Sequence, residues 1–228
     1  MKRILFVIAL TALGFVSCKT NKQVSKSVAY SGIYKEKPLA ILLMPPINRS
    51  TNVDAKEFFR STLNVPLANN GYYVIPPFIS MEILKKESAY DSELFLNSPL
   101  IKFNEVFGAD IALFTIIHKW VKTYAMVRVE VEYILKSTKT NEVLYSRRGE
   151  ILYDTAISGT GGAYGALFDL ALTAANTIAT KYVDVARICN LYTFKDLPSG
   201  KYKSDFGEDG DLKAGPKEFK AKLNAQYQ

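Results

Sequence analysis

The chain has 228 residues, of which 48% are hydrophobic, 22% charged and 12% aromatic; 29 Lys+Arg stand against 22 Asp+Glu, for a formal net charge of +7. This is enough chain for one or two domains of ordinary globular material, which excludes wholesale disorder, collagen and coiled coil as the main architecture. A single histidine, His118, excludes a two-histidine metal site and an HExxH protease. Two cysteines, Cys18 and Cys189, exclude a disulfide scaffold and a four-cysteine zinc site.

Residues 1–18 read MKRILFVIALTALGFVSC. Lys2 and Arg3 form a positive start, and the apolar run Ile4 to Val16 is shorter than a membrane span of about 20 residues, so the segment reads as a secretory signal peptide. Phe15-Val16-Ser17-Cys18 resembles a bacterial lipobox, although Phe15 departs from the usual leucine. The resemblance implies diacylglycerol on the Cys18 thiol, cleavage after Ser17 and acylation of the new amine. The alternative is an ordinary signal peptide whose apolar run happens to end in cysteine. Several acyl chains would anchor the protein without a spanning helix. Lys19 is not the aspartate that retains lipoproteins at an inner membrane, so the expected address is the outer membrane. The stretch from Lys19 to Lys37 holds five lysines and one glutamate and reads as a flexible tether with a reach of about 24 Å.

The globular part is expected from Pro38. The apolar run Leu39 to Met44, stopped by Pro45-Pro46, suits a buried strand. Asp54-Ala-Lys-Glu57 has the spacing of a capping box, and Phe58, Phe59, Thr62, Leu63 and Leu67 give the helix it opens an apolar face. Pro66 should kink that helix or split off its last turn, and Gly71 should end it. Tyr72 to Ile75 is a second strand, which completes a βαβ unit. Short helices are expected at Met81–Lys86 and at Pro99–Phe107, the latter closed by Gly108. Ile111 to Ile117 has no polar alternation and belongs inside a sheet. From Tyr124 to Lys136 the odd positions are apolar and the even ones carry Arg128, Glu130, Glu132 and Lys136, a strand with one wet face. A second strand, Glu142 to Tyr153, should pair with it around Thr138-Lys-Thr140. Opposing positions summing to 278 set Arg128 against Glu150 and Glu130 against Arg148; a sum of 280 would oppose Glu130 to Glu150. Gly159 to Gly165 reads as a hinge before an Ala-rich helix, Ala166 to Ile188. Residues 191–228 read as a charged extension lying over the surface.

The expected architecture is thus α/β, a mixed sheet of about five strands with helices packed on it. The domains are a signal peptide (1–17), the lipidated cysteine and tether (18–37), a globular domain (38–190) and the extension (191–228). Pro45-Pro46-x-Asn48-x-Ser50, Ser61-Thr-Leu63, Pro66-Leu-Ala68, Gly71-Tyr-Tyr-Val74, Phe107-Gly-Ala-Asp110, Trp120, Val131-Glu-Tyr133 and Leu135-Lys136 occur in that order. Together they resemble a family of bacterial lipoproteins whose globular part is similar to the N-terminal domain of TolB. The resemblance runs from about Pro38 to Ile188. It implies a lipid-anchored domain on the periplasmic side of the outer membrane, associated with other lipoproteins, among them ones similar to the curli secretion channel. It brings no catalytic residues.

No cofactor, metal or nucleic acid is expected. Glu130 and Glu132 could form a glycosidase pair, but a cross-strand ion ladder accounts for them. Gly159 to Gly165 lacks the ending of a P-loop. His118 has neither a nucleophile nor an orienting acid in any motif, and Cys189 reads as a buried small hydrophobe. Asn48, Arg49 and Ser50 follow the first strand's carboxyl end, where open α/β sheets bind ligands, and form a candidate anion loop. Tyr72, Tyr73 and Phe78 are candidate contact residues. The leading expectation is a non-enzymatic lipoprotein serving an assembly or export complex. The alternatives are a module binding a small ligand or envelope polymer, and a hydrolase.

Overall fold

The computed structural model describes residues 24–123, 126–154 and 182–224. Two short helices come first, α1 (Lys26–Ala29) and α2 (Ser31–Glu36). Strand β1 (Ala40–Leu43) runs into Pro45-Pro46, which break it, and a two-residue strand β2 (Ile47–Asn48) follows. Helix α3 (Ala55–Thr62) and helix α4 (Asn64–Asn69) are separated at Leu63, the split that Pro66 requires. Gly71, at φ +83°, turns the chain into β3 (Tyr73–Val74). Helix α5 (Pro77–Lys86) starts on Pro77, a residue suited to a first helical position, and so begins earlier than Met81. Helix α6 (Ile101–Phe107) ends on Gly108 at φ +65°. Three long strands follow: β4 (Ile111–Thr123), β5 (Met126–Ser137) and β6 (Val143–Asp154). Helix α7 (Tyr182–Phe194) and strand β7 (Glu218–Leu223) complete the described elements.

Among the described residues the sheet has seven strands rather than five, in the order β3-β1-β4-β5-β6-β7, with β2 paired to β4. The βαβ unit is present, with β1 parallel to both β3 and β4. Strands β4, β5 and β6 form an antiparallel meander, and β7 adds parallel to β6. The two additional strands are β2 and β7. The first is too short to show a period. The second alternates Phe219, Ala221 and Leu223 with Lys220 and Lys222 inside a stretch whose charge reads as surface.

One face of the sheet is covered along its length. Ile41, Leu113, Val129, Tyr133, Tyr145 and Ile151 meet Phe59, Leu63 and Leu67 of α3 and α4 and Cys189 and Phe194 of α7. Among the described residues, the other face is covered at one side, where α5 and α6 place Met81, Leu84 and Phe103 over Leu42, Ala112 and Phe114. The remainder carries Arg128, Glu130 and Glu132 of β5 and Arg148 and Glu150 of β6, while Lys136, expected on the wet face, is buried, its Nζ donating to Leu96 O at 2.6 Å.

Four expectations need correction. Residues 26–36 are not a tether: Tyr30 and Ile33 are buried in the main core. The lysines and serines around these two residues conceal their helical spacing. The extension beyond 191 does not lie loosely on the surface, since Phe194, Leu197 and Ala214 are core and β7 joins the sheet. Asp54 caps nothing with its side chain. Its own N–H is taken by Asn52 Oδ1 at 3.0 Å, and Glu57 turns to Arg60. The β5–β6 register sums to 280 from Met126↔Asp154 through Leu135↔Tyr145, with a bulge before Lys136↔Val143. Ser137 N–H donates to Glu142 O at 2.9 Å to close the turn, and Asn141 sits at φ +63°. Leu144 is the extra residue, and the bulge buries both Leu144 and Tyr145. The two-residue slip keeps the predicted faces. The Ala166–Ile188 helix falls mostly outside the described residues, as do the Gly159–Gly165 hinge and the signal peptide.

Candidate functional site

The carboxyl ends of β1 and β2 open into a cleft of ≈ 510 Å³ lined by Pro45–Arg49, Lys56, Glu57 and Tyr90–Glu93. This is the predicted position of the Asn48-Arg49-Ser50 loop, and the structure brings the three residues together. Their polar groups are already engaged. Asn48 Nδ2 donates to Asn52 O at 2.7 Å, while Asn48 Oδ1 accepts from the N–H and hydroxyl of Ser50. Arg49 N–H donates to Ile117 O, and its guanidinium donates to Glu93 Oε1 at 2.9 and 3.2 Å. Ser92 Oγ donates to Pro45 O at 2.7 Å, which ties the far wall to the prolines. An anion here would compete with Glu93 for Arg49.

The three candidate contact residues separate. Tyr73 is 49% exposed and Phe78 80% exposed, but Tyr72 is 3% exposed, with its hydroxyl donating to Pro198 O at 2.9 Å. Tyr72 therefore belongs to the core. Successive residues of a strand point to opposite faces, so only one of the adjacent tyrosines can be wet. Phe78 is joined on the surface by Ile79, 57% exposed.

The charged half-face of the sheet is an ion ladder over β4 to β7. Glu130 accepts from Arg148 at 2.5 and 3.0 Å and lies 3.8 Å from Lys119. Glu150 lies 3.3 Å from Arg128 and 3.0 Å from Lys220, whose hydrogen bond leads the causes holding its carboxyl below the ordinary range. The two glutamates do stand opposite each other. Each draws its cations diagonally and from the next strand, so the like-charge pair is screened. Glu132 takes His118 Nε2 at 2.8 Å. His118 occupies a bulge of β4, and the strand continues past it to Thr123 rather than ending there. Glu130 thus belongs to the ladder, whereas His118, for which the sequence shows no orienting acid, has Glu132 beside it. Cys189 is a free thiol, fully buried, and burial pushes its pKa up.

A buried polar node escaped the sequence reading. Asp209 accepts from Tyr34 Oη at 2.9 Å, Ser199 N–H at 3.0 Å and Lys26 Nζ at 3.3 Å. Asp196 accepts from Tyr30 Oη and, at 2.8 Å, from Gly215 N–H; Arg147 Nε is 3.8 Å away. Arg147 also donates to Thr193 O and stacks over Phe219. Burial, then the hydrogen bonds to these carboxylates, raise the phenol pKa values of Tyr30 and Tyr34. The signal was present in Tyr30, Ile33 and Tyr34 at helical spacing. No metal-binding cluster of His, Cys, Asp and Glu occurs among the described residues, and no described helix is long and apolar enough to cross a membrane.

Residues 28–200 match the family model described as "Putative lipoprotein GNA1162-like". "Putative lipoprotein NMB1124/NMB1162" of Neisseria meningitidis serogroup B is 23% identical over 176 residues, covering 75% of this chain and 79% of that protein. The crystal structure of lipoprotein GNA1162 from Neisseria meningitidis aligns with a TM-score of 0.48 and 24% identity, over 63% of this chain and all of that one. The LpoB C-terminal domain from Salmonella enterica aligns with a TM-score of 0.37 and 18% identity, over 55% of this chain and 94% of that one.

Proposed function

Because this chain belongs to the GNA1162-like lipoprotein family, we propose that it is acylated on Cys18 after removal of residues 1–17. It is then held on the periplasmic face of the outer membrane, where it works without turnover through protein contacts. The task that fits is an accessory role in an envelope assembly or export complex, with a TolB-like domain meeting other lipoproteins, including ones similar to the curli secretion channel. The observation that carries the contact reading is the exposed apolar group at the edge strand β3 and the start of α5. Tyr73, Phe78 and Ile79 are 49%, 80% and 57% exposed there. Large apolar side chains left in water beside a sheet edge suit a partner surface.

The test is a photo-crosslinking residue at Phe78 in native membranes. The expected result is capture of a second acylated protein, identified by mass spectrometry, with capture reduced by Tyr73→Ala. Absence of any crosslink, together with hydrolytic turnover lost in His118→Ala, would overturn the reading. A second reading, binding of a small anion or envelope polymer, is favoured by the cleft at Arg49. It predicts saturable binding of an anionic glycan that Arg49→Ala removes.

A further inference from the structure

We propose that the amino end of the sheet is a membrane-docking face, which lies against the bilayer that holds the anchor and turns the Arg49 cleft away from it. The proposal rests on acylation at Cys18.

The directions of the strands define that end. Strands β1, β3 and β4 are parallel, β5 reverses, and β6 and β7 run parallel to β4 again. The amino ends of β1, β3, β4 and β6 therefore share one side of the molecule, whereas β7 begins level with Arg148, in the middle of β6. Helices α1 and α2 are fixed there, since α2 leads through Lys37 directly into β1. They are fixed by more than packing. Ser25 forms an antiparallel bridge with Lys213, Ala214 N–H donates to Val24 O at 2.9 Å, and Lys26 N–H donates to Leu212 O at 2.7 Å. The buried carboxylate of Asp209 then holds Lys26 and Tyr34.

The chain is thus immobilised from Val24, and only residues 19–23 separate it from Cys18. Six peptide steps span at most about 20 Å. A body leashed so closely must meet the lipid surface, and the part nearest the leash is suited to it. Val24, Val28 and Leu212 are 47%, 66% and 57% exposed on the two segments joined by the bridge. Lys213 is exposed beside them, as are the acidic Glu208 and Asp211. Exposed apolar side chains at the end of so short a leash fit the boundary between acyl chains and headgroups. The carboxyl ends of β1 and β2, level with Ile117 of β4, then stand about 20 Å farther out, at roughly 3.3 Å per strand residue.

The test uses the full acylated chain in phosphatidylethanolamine–phosphatidylglycerol vesicles containing a spin-labelled lipid. Leu212→Cys and Val53→Cys variants each carry an environment-sensitive fluorophore; Val53 follows the Asn48–Asn52 loop at the cleft, both positions are exposed, and the buried Cys189 does not compete for label. Mass spectrometry reads the lipid on Cys18. Quenching at 212 at least about twofold stronger than at 53, in a depth range expected for an interfacial segment, supports the proposal. Equal quenching in chains that do carry the lipid overturns the docking face and leaves the acylation reading standing. Chains without lipid on Cys18 overturn the acylation reading, and this proposal with it.

Discussion

Asp209 takes two hydrogen bonds from one end of the chain and one from a loop near the other, in a site where its side chain is 2% exposed. Replacing it by alanine leaves the Lys26 ammonium, the Tyr34 hydroxyl and the Ser199 N–H facing each other without an acceptor. Breaking a buried pair in this way costs about 3–5 kcal/mol, so Asp209→Ala should lower the urea midpoint by that equivalent. Asp110 offers a pH readout. It accepts from Leu39 N–H at 3.0 Å, Ala40 N–H at 3.1 Å and Lys139 Nζ at 3.0 Å, and so fastens the start of β1 to the start of β4. Burial alone would raise its pKa. The Leu39 hydrogen bond, joined by those of Lys139 and Ala40, outweighs this and holds it below the ordinary 3.8. A depressed folded-state pKa stabilises the fold above the unfolded value and is lost as pH falls through the folded one. The stability gap between wild type and Asp110→Asn should therefore be full at neutral pH and close below pH 3.8, as read by denaturation at several pH values. Residues of this kind were poorly legible in the sequence. Tyr72 and Tyr73 are adjacent and chemically identical, and only the pleat decides which is core.

Elements with a long period were legible, and short ones were not. The alternation of β5 and β6 gave both strands and most of both faces, because burying a row of charges forbids a one-residue slip; Lys136, read as wet, is buried where its Nζ reaches Leu96 O. It did not give the register. A two-residue slip costs little when Arg148 and Arg128 can reach their glutamates diagonally, and the bulge at Leu144 is rewarded by packing against helices that read as a tether. The apolar run of β4 appeared to end at Ile117 because the bulge at His118 shifts the phase, so that Ile117 and Trp120, three apart, share a face. Strand β7 depends on one close approach. Phe219 pairs with Gly149, and a Cβ at that glycine would lie 2.3 Å from Phe219 Cζ. Gly149→Ala should push the ring aside and loosen β7 alone. The expected cost is about 1–2 kcal/mol, seen as roughly tenfold faster amide exchange in residues 218–223 with little change in β4 and β5.

At the scale of the whole molecule, the globular unit is larger than 38–190 at both ends. A chain started at Pro38, the boundary suggested by sequence, would lose Tyr30 and Ile33 from the core and strip Asp196 and Asp209 of their phenol partners. Burial of two such side chains is worth about 3–6 kcal/mol. That chain should unfold at correspondingly lower urea or precipitate, whereas one started at Val24 should match the mature protein. The interlock of the two ends also has a consequence in time. Lys26 and Asp209 are 183 positions apart, and α1 and α2, of four and six residues, are too short to persist without their partners. A chain ended at residue 195 should therefore be cut by trypsin at Lys26 and Lys35, while the full chain, with Lys26 7% exposed, should resist at Lys26. During synthesis and export the first residues emerge long before the last. Under the proposed acylation of Cys18, Val24 to Lys26 would stay open beside the acylating enzyme until nearly the whole chain has crossed, and close only when their distant partner arrives.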